Sequence, residues 1–257
     1  MRLVAGASLA AWLWGRALTN SRYRIRFSKL GKIRFTSHRD VARMWERALR
    51  RATLPVAYTE GFSPHPKLSF GLALSTGHES LGEYLDIDMA EPVDVERIPA
   101  RLDPCLPIGL DVQAAAEIES GTPSLQQVVT SCTWRIEVVG LGPSELAERV
   151  EGCLTADSLV VTRERKGHKV TDDLRPAILS LEMMDDRAEV LAELATQPRG
   201  VRPSELVAVL ASQRDDELIE GHVCRLHQWL STDGAREEPL PLPHRATLAP
   251  HAEARAS

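Results

Sequence analysis

The chain has 257 residues, 43% hydrophobic but only 5% aromatic, which is enough apolar material for one large domain or two small ones with a mostly aliphatic core. Its net charge of −5 alone argues against a nucleic-acid binder, yet residues 22–67 hold twelve Lys/Arg against three Asp/Glu, a local balance of +9 that leaves −14 for the remainder and could bind an anion locally. The four cysteines, Cys105, Cys132, Cys153 and Cys224, include no pair at C-x-x-C spacing. That points away from a zinc site or an iron–sulfur cluster held by this chain alone, and toward ordinary thiols of a cytoplasmic protein.

Residues 1–20, "MRLVAGASLAAWLWGRALTN", loosely imitate a secretory signal, but Gly15 and Arg16 break an apolar run already too short to span a bilayer. They read as a disordered or mis-started extension, with an anchor or signal as the alternative. "RYRIRF" (22–27) alternates strictly, placing Tyr23, Ile25 and Phe27 on one side of a strand and Arg22, Arg24 and Arg26 on the other. "KIRF" is expected to continue that strand or pair with it. A helix over 38–53 follows, because Val41, Met44, Trp45, Ala48, Leu49 and Ala52 recur at helical spacing. Ser37 with Asp40 three residues on reads as its capping box, and Pro55 stops it.

"GFSPHPK" (61–67) places His65 between two prolines. Each proline fixes its own φ and pushes the preceding residue toward extended geometry, so the segment is stiff. It leads into "KLSFGLAL", a strand with Leu68, Phe70, Leu72 and Leu74 inward, and prolines near a strand favour a sheet edge. "EYLDIDM" (83–89) is another strand, "VDVERIPARL" a short helical piece and "GLDVQAAAEI" a fourth strand. The order β-α-β-β-α-β is the ferredoxin-like pattern.

A boundary near 120–131 separates this first half (21–120) from a second (131–231). There "TWRIEVV", "LVVTRERKG" and "AILSLEMM" read as strands, "PSELAERVEGCL" and "RPSELVAVLAS" as helices, and "AEVLAELAT" as either. The expected class is α+β, with two ferredoxin-like halves of which the second is degenerate. Residues 232–257 lack any period and read as a disordered tail, so a chain of 21–231 is expected to fold as well as the full one.

Three groups of residues carry candidate chemistry. On the helix, Arg39, Arg43, Arg47, Arg50 and Arg51 form one basic stripe, either a solvated face or a phosphate-backbone contact. The helix start at Ser37 and His38 favours an anion, although Asp40 competes for that place. The strand arginines are expected to be absorbed by Tyr84, Asp86 and Asp88 across the sheet. His38, His65 and Asp40 are the candidates for acid–base catalysis, and with Glu83 for a metal, although their spacing matches no metal motif. The last group is "KGHKVTDDLRPAI" (166–178), where Lys166, His168, Lys169, Asp172, Asp173 and Arg175 form either a binding cluster or a charged loop.

Residues 34–87, from "RFTSHRDVARMWERALRRATLPVAYTEGFSPHPK" to "LGEYLDI", together with "KVTDDLRPAI", resemble the radical-SAM-linked protein family, a bacterial domain of unknown function. The resemblance spans roughly 22–230, and where the family carries an apolar residue this chain has Arg39. Family members occur alone or fused behind a cobalamin-binding radical SAM domain, often beside genes for RNA processing. The resemblance therefore implies an accessory or substrate-presenting partner of a radical SAM enzyme, acting on tRNA or rRNA. S-adenosylmethionine, the iron–sulfur cluster and cobalamin would sit on that partner, with no metal on this chain and no membrane. The candidate binding residues are Ser37, His38, Arg43, Arg47, Arg50, Arg51, Gly61, Phe62, His65, Lys67, Lys169, Asp173 and Arg175. The alternatives are a stand-alone enzyme built on His38, His65 and Asp40, and a protein-binding scaffold that makes no RNA contact.

Overall fold

The computed structural model describes residues 21–241 apart from 166, 185–186, 215–216 and 233–234. The expected extension over 1–20 and most of the expected tail, 242–257, lie outside the described residues. In chain order the first half contains β1 (Ser21–Lys29), α1 (His38–Arg51), β2 (Leu68–Phe70), β3 (Glu79–Met89), α2 (Ile98–Leu102) and β4 (Leu110–Ile118). The short α3 (Leu125–Val128) leads into β5 (Val129–Val139), α4 (Pro143–Thr155), β6 (Val160–Arg165), β7 (His168–Asp173) and β8 (Ile178–Met183). The chain closes with β9 (Glu189–Ala195), α5 (Pro203–Ser212), β10 (Ile219–Thr232) and β11 (Ala235–Glu237).

The class is mixed α+β, but the two halves do not form separate sheets. One nine-stranded sheet runs β4-β1-β3-β10-β5-β9-β8, with β2 added to β3 and β11 to β10, while β6 and β7 form a hairpin of their own. Every pairing in the large sheet is antiparallel except that of β3 with β10, which joins the halves. Alternation along a strand tells which face is buried; it carries no information about which edge meets which, so the continuous sheet was not legible in the sequence.

Each half has its own apolar core. Tyr23, Ile25 and Phe27 of β1 pack with Leu85, Ile87 and Met89 of β3 beneath Val41, Trp45 and Leu49 of α1. The Phe27 and Trp45 rings meet edge to face at 4.9 Å. In the second half, Ile136 and Val138 of β5 and Val190 and Leu194 of β9 pack with Leu146 and Val150 of α4 and Leu206 and Leu210 of α5. Buried Val190, Ala192 and Leu194 alternate along β9, which makes "AEVLAELAT" a strand.

Three local expectations are corrected. "KIRF" belongs to a 3-10 turn over Gly31–Phe35, closed by the Thr36 N–H donating to the Ile33 carbonyl, and pairs with no strand. The strand expected from "KLSFGLAL" stops at Phe70, after which the Gly71 N–H bonds the Tyr84 carbonyl. Residues 235–240, expected to be tail, are ordered: β11 pairs with β10, and Glu238 accepts a hydrogen bond from Arg26. A chain cut at 231 would lose that carboxylate while Arg26, only 2% exposed, stays in place.

Candidate functional site

The basic charge of residues 22–67 divides into two populations. On β1 the arginines face two acids and a tyrosine across the sheet, in the register Arg22↔Asp88, Arg24↔Asp86 and Arg26↔Tyr84. Arg24 binds Asp86 in a fork, Nε to Oδ1 at 2.8 Å and Nη2 to Oδ2 at 3.0 Å, with both side chains buried. Arg22 lies 3.5 Å from Asp86 and 3.6 Å from Asp88. Arg26 lies over the Tyr84 ring and donates to Gln113 and Glu238. The expected charge ladder is present, and it removes these three arginines from any surface field.

The α1 arginines are the opposite case. Val41, Trp45, Ala48 and Leu49 turn one face of the helix into the core, so its arginines are driven outward. Arg39, Arg43, Arg47, Arg50 and Arg51 are all exposed. Arg43 meets Asp40 at 3.3 Å, a surface pair of little energetic weight. Arg39 also acts on Asp40 through its charge, and among the described residues Arg47, Arg50 and Arg51 have no acidic partner. The helix C-terminus does not occupy Arg50 or Arg51 either, because Arg101 donates to the Ala52 and Thr53 carbonyls at 2.8 and 2.9 Å.

At the helix start, the Ser37 hydroxyl accepts from the Asp40 N–H at 3.2 Å and donates to the Asp40 carboxylate at 2.8 Å. That second bond, aided by Arg43, holds the Asp40 carboxyl below its usual range. Asp40 is therefore occupied as a cap. Among the described residues no hydrogen bond or ion pair joins any two of His38, Asp40 and His65.

The proline block forms the arm and tip of a narrow hairpin. The Lys67 N–H donates to the Ala57 carbonyl at 2.8 Å, Tyr58 bridges Pro66, and the Thr59 N–H donates to the His65 carbonyl at 2.9 Å. The Thr59 hydroxyl accepts from the His65 N–H at 3.0 Å. The base is tied to the sheet, with the Ala57 N–H donating to the Asp88 carbonyl and the Asp88 N–H to the Lys67 carbonyl. Gly61 turns the tip with a φ of +122°, a conformation side chains rarely adopt. Phe62 and His65 are exposed and Lys67 is half-buried.

His38 sits at the rim of a small pocket with Lys29, Phe70 and Glu83, its ring edge to face with Phe70 at 5.2 Å. Lys29 is buried and donates to the Arg34 and Thr36 carbonyls, both at 3.2 Å. Burial lowers its pKa. Glu83 accepts from Arg225 of β10 at 2.7–3.0 Å, and Arg225 also donates to the Leu72 carbonyl and lies over the Trp134 ring. Burial opposes its charge, but Glu83 holds the Arg225 guanidinium above its usual pKa. Sequence reasoning did not single out Lys29 or Arg225. The available signal was parity: Lys29 continues the inward row Tyr23, Ile25, Phe27, and Glu83 the inward row Leu85, Ile87. Both groups are committed to partners: Lys29 ties β1 to the turn that follows it, and Arg225, through Glu83, joins β10 to β3 across the two halves.

The downstream cluster is architectural where it is described. Asp173 accepts from the Leu159 and Arg175 N–H groups at 2.8 and 2.9 Å, which holds its carboxyl below the usual range. Arg175 donates to the Leu154 and Ile178 carbonyls, fastening the end of α4. Asp172 pairs with Arg199 at 3.2 Å. Lys169 is exposed on the β6–β7 hairpin, Lys166 lies outside the described residues, and His168 is placed in β7 by its backbone. All these partners belong to the second half.

Cys132, Cys153 and Cys224 are buried free thiols, each pushed by burial up to about 11. Among the described residues, no three His, Cys, Asp or Glu side chains form a group that could hold a metal ion. No helix among them is long and apolar enough to cross a membrane.

The described residues form a mixed α+β fold with a large, mostly antiparallel sheet, an exposed arginine stripe on α1 and a stiff hairpin after it. The profile of the uncharacterized protein family conserved in bacteria, DUF2344, matches residues 22–203, and the chain belongs to that family. No curated protein matches the chain.

Proposed function

We propose that the protein is a non-catalytic, RNA-contacting accessory module. The observation that carries this reading is the row of exposed arginines on α1, of which Arg47, Arg50 and Arg51 lack an acidic partner among the described residues. Adjacent unpaired guanidiniums repel one another and find their natural counterpart in a polyanion. The absorption of the β1 arginines by acids makes the field local, in keeping with an acidic chain that binds through one face. The partner in this reading is the radical SAM enzyme implied by the resemblance, which would carry S-adenosylmethionine, cluster and cobalamin, in the cytoplasm. The recurrence of one strand order, β4-β1-β3-β2 and β10-β5-β9-β8, supports describing both halves as ferredoxin-like, the second with the β6–β7 hairpin inserted.

The test is binding of a labelled mixed-sequence RNA, followed by anisotropy over a series of salt concentrations. Binding should weaken linearly in log–log form. Arg43→Glu with Arg47→Glu should weaken it across RNA sequences alike, each lost phosphate contact flattening the slope by about 0.7–0.9. Wild-type protein that binds no RNA at low salt would reduce the stripe to a solvated face.

A further inference from the structure

The structure points to a second, chemically distinct element of the same interface: we infer that Phe62, at the hairpin tip, is a stacking platform for an unpaired base of the bound RNA. The inference rests on the RNA reading above and names the substrate class as single-stranded. Phe62 is 110% exposed, more than any other large apolar side chain described. Among the described residues it has no ring or cation partner, whereas the other strongly exposed phenylalanine, Phe35, is covered by the Arg34 guanidinium at 4.7 Å.

A phenyl ring left as exposed as in the unfolded chain contributes no burial energy, so the fold gains nothing by placing it there. The scaffold beneath it is nevertheless stiff. Two prolines, the Tyr58–Pro66 bridge and two hydrogen bonds between Thr59 and His65, one backbone to backbone and one to the Thr59 hydroxyl, hold the arms, and Gly61 sets the turn. A rigid support lowers the ordering cost of binding.

The surroundings select the occupant. Tyr58, 43% exposed, supplies a second aromatic face in the same hairpin. His65 and Lys67 leave its other arm, and the chain enters the hairpin only six residues after Arg51 ends α1. Among the described residues neither His65 nor Lys67 has a side-chain partner. An aromatic ring flanked by an imidazole and a lysine fits a base and its phosphate, whereas an apolar protein pocket would leave Lys67 without a counter-charge. Stacking needs a free base face, which a duplex does not offer at its sides.

The experiment compares wild type, Phe62→Ala and Phe62→Trp for binding to a short mixed-sequence single-stranded RNA and to its duplex at low salt. Wild type should prefer the single strand. Phe62→Ala should lose about 5- to 150-fold on the single strand with little change on the duplex and an unchanged salt slope. Phe62→Trp should restore single-strand affinity. The ring is fully exposed, so the variants fold and the comparison is clean. Equal binding by wild type and Phe62→Ala, with a normal salt slope, overturns the stacking role and leaves the arginine reading standing. Absence of binding by wild type overturns both. If Phe62→Ala binds RNA normally but no longer co-purifies with a partner protein, the tip is a protein anchor and the inference fails.

Discussion

β1 and α1 stand next to each other in the chain and are both rich in arginine, yet their charges do opposite things. On β1 the period of two sends every second residue to the face opposite Tyr23, Ile25 and Phe27, where Asp86, Asp88 and Glu238 wait. On α1 the apolar stripe occupies the core side, and the arginines are left facing water with Asp40 as their one carboxylate partner among the described residues. A charge count over 22–67 treats these populations alike. Only the second can produce an external field, so the site is smaller and more sharply placed than the local balance of +9 implies.

The hardest blow to this contrast is a cut inside the ladder. Asp86→Ala leaves Arg24, 4% exposed, without its forked partner. An uncompensated buried charge typically costs about 3–5 kcal/mol, so denaturant melts should show a loss of that order. A variant that melts like wild type would mean that Arg24 reaches water and that the two populations are not distinct.

Acid should act on the same ladder. Burial opposes it, but His227 and Arg26 hold the Glu238 carboxyl below its ordinary 4.5. A carboxyl with a lowered folded pKa contributes stability that is fully present above the unfolded value and lost as pH falls through the folded one. Stability should therefore begin to drop below about pH 4.5, and Glu238→Gln should show a shallower drop there. Identical acid profiles for the two proteins would separate Glu238 from the linkage.

Smaller effects sharpen the hairpin side of the picture. Pro64→Ala and Pro66→Ala should each cost about 0.4–1 kcal/mol by freeing the unfolded chain. His65→Ala, at an exposed position, should stay within about 0.5 kcal/mol of wild type. Smallest of all is the predicted stability change for Arg43→Glu with Arg47→Glu, again within about 0.5 kcal/mol per site, despite the large loss of RNA affinity. A marked fall in melting temperature for that pair would show that the stripe supports the fold and is not a free surface.

The sequence by itself determined what depends on near neighbours. The burial faces of β1, β3 and α1 follow from side-chain period, the cap at Ser37 from its three-residue spacing to Asp40, and the stiffness of 61–67 from proline geometry. Even the pairing of Arg22 and Arg24 with the acids of β3, and of Arg26 with Tyr84, was legible, because side chains at matching parity meet across a sheet. Tertiary structure decided what depends on distant partners. It joined β3 to β10 and set Arg225 against Glu83, 142 residues apart. It recruited Glu238 from beyond the expected end of the fold and turned the downstream Asp173–Arg175 motif into a clasp within the second half. The physical reason is that period reports which way a residue faces, whereas an edge, a buried ion pair or a clasp is chosen by which surfaces best satisfy each other's hydrogen bonds and charge once the chain has closed on itself.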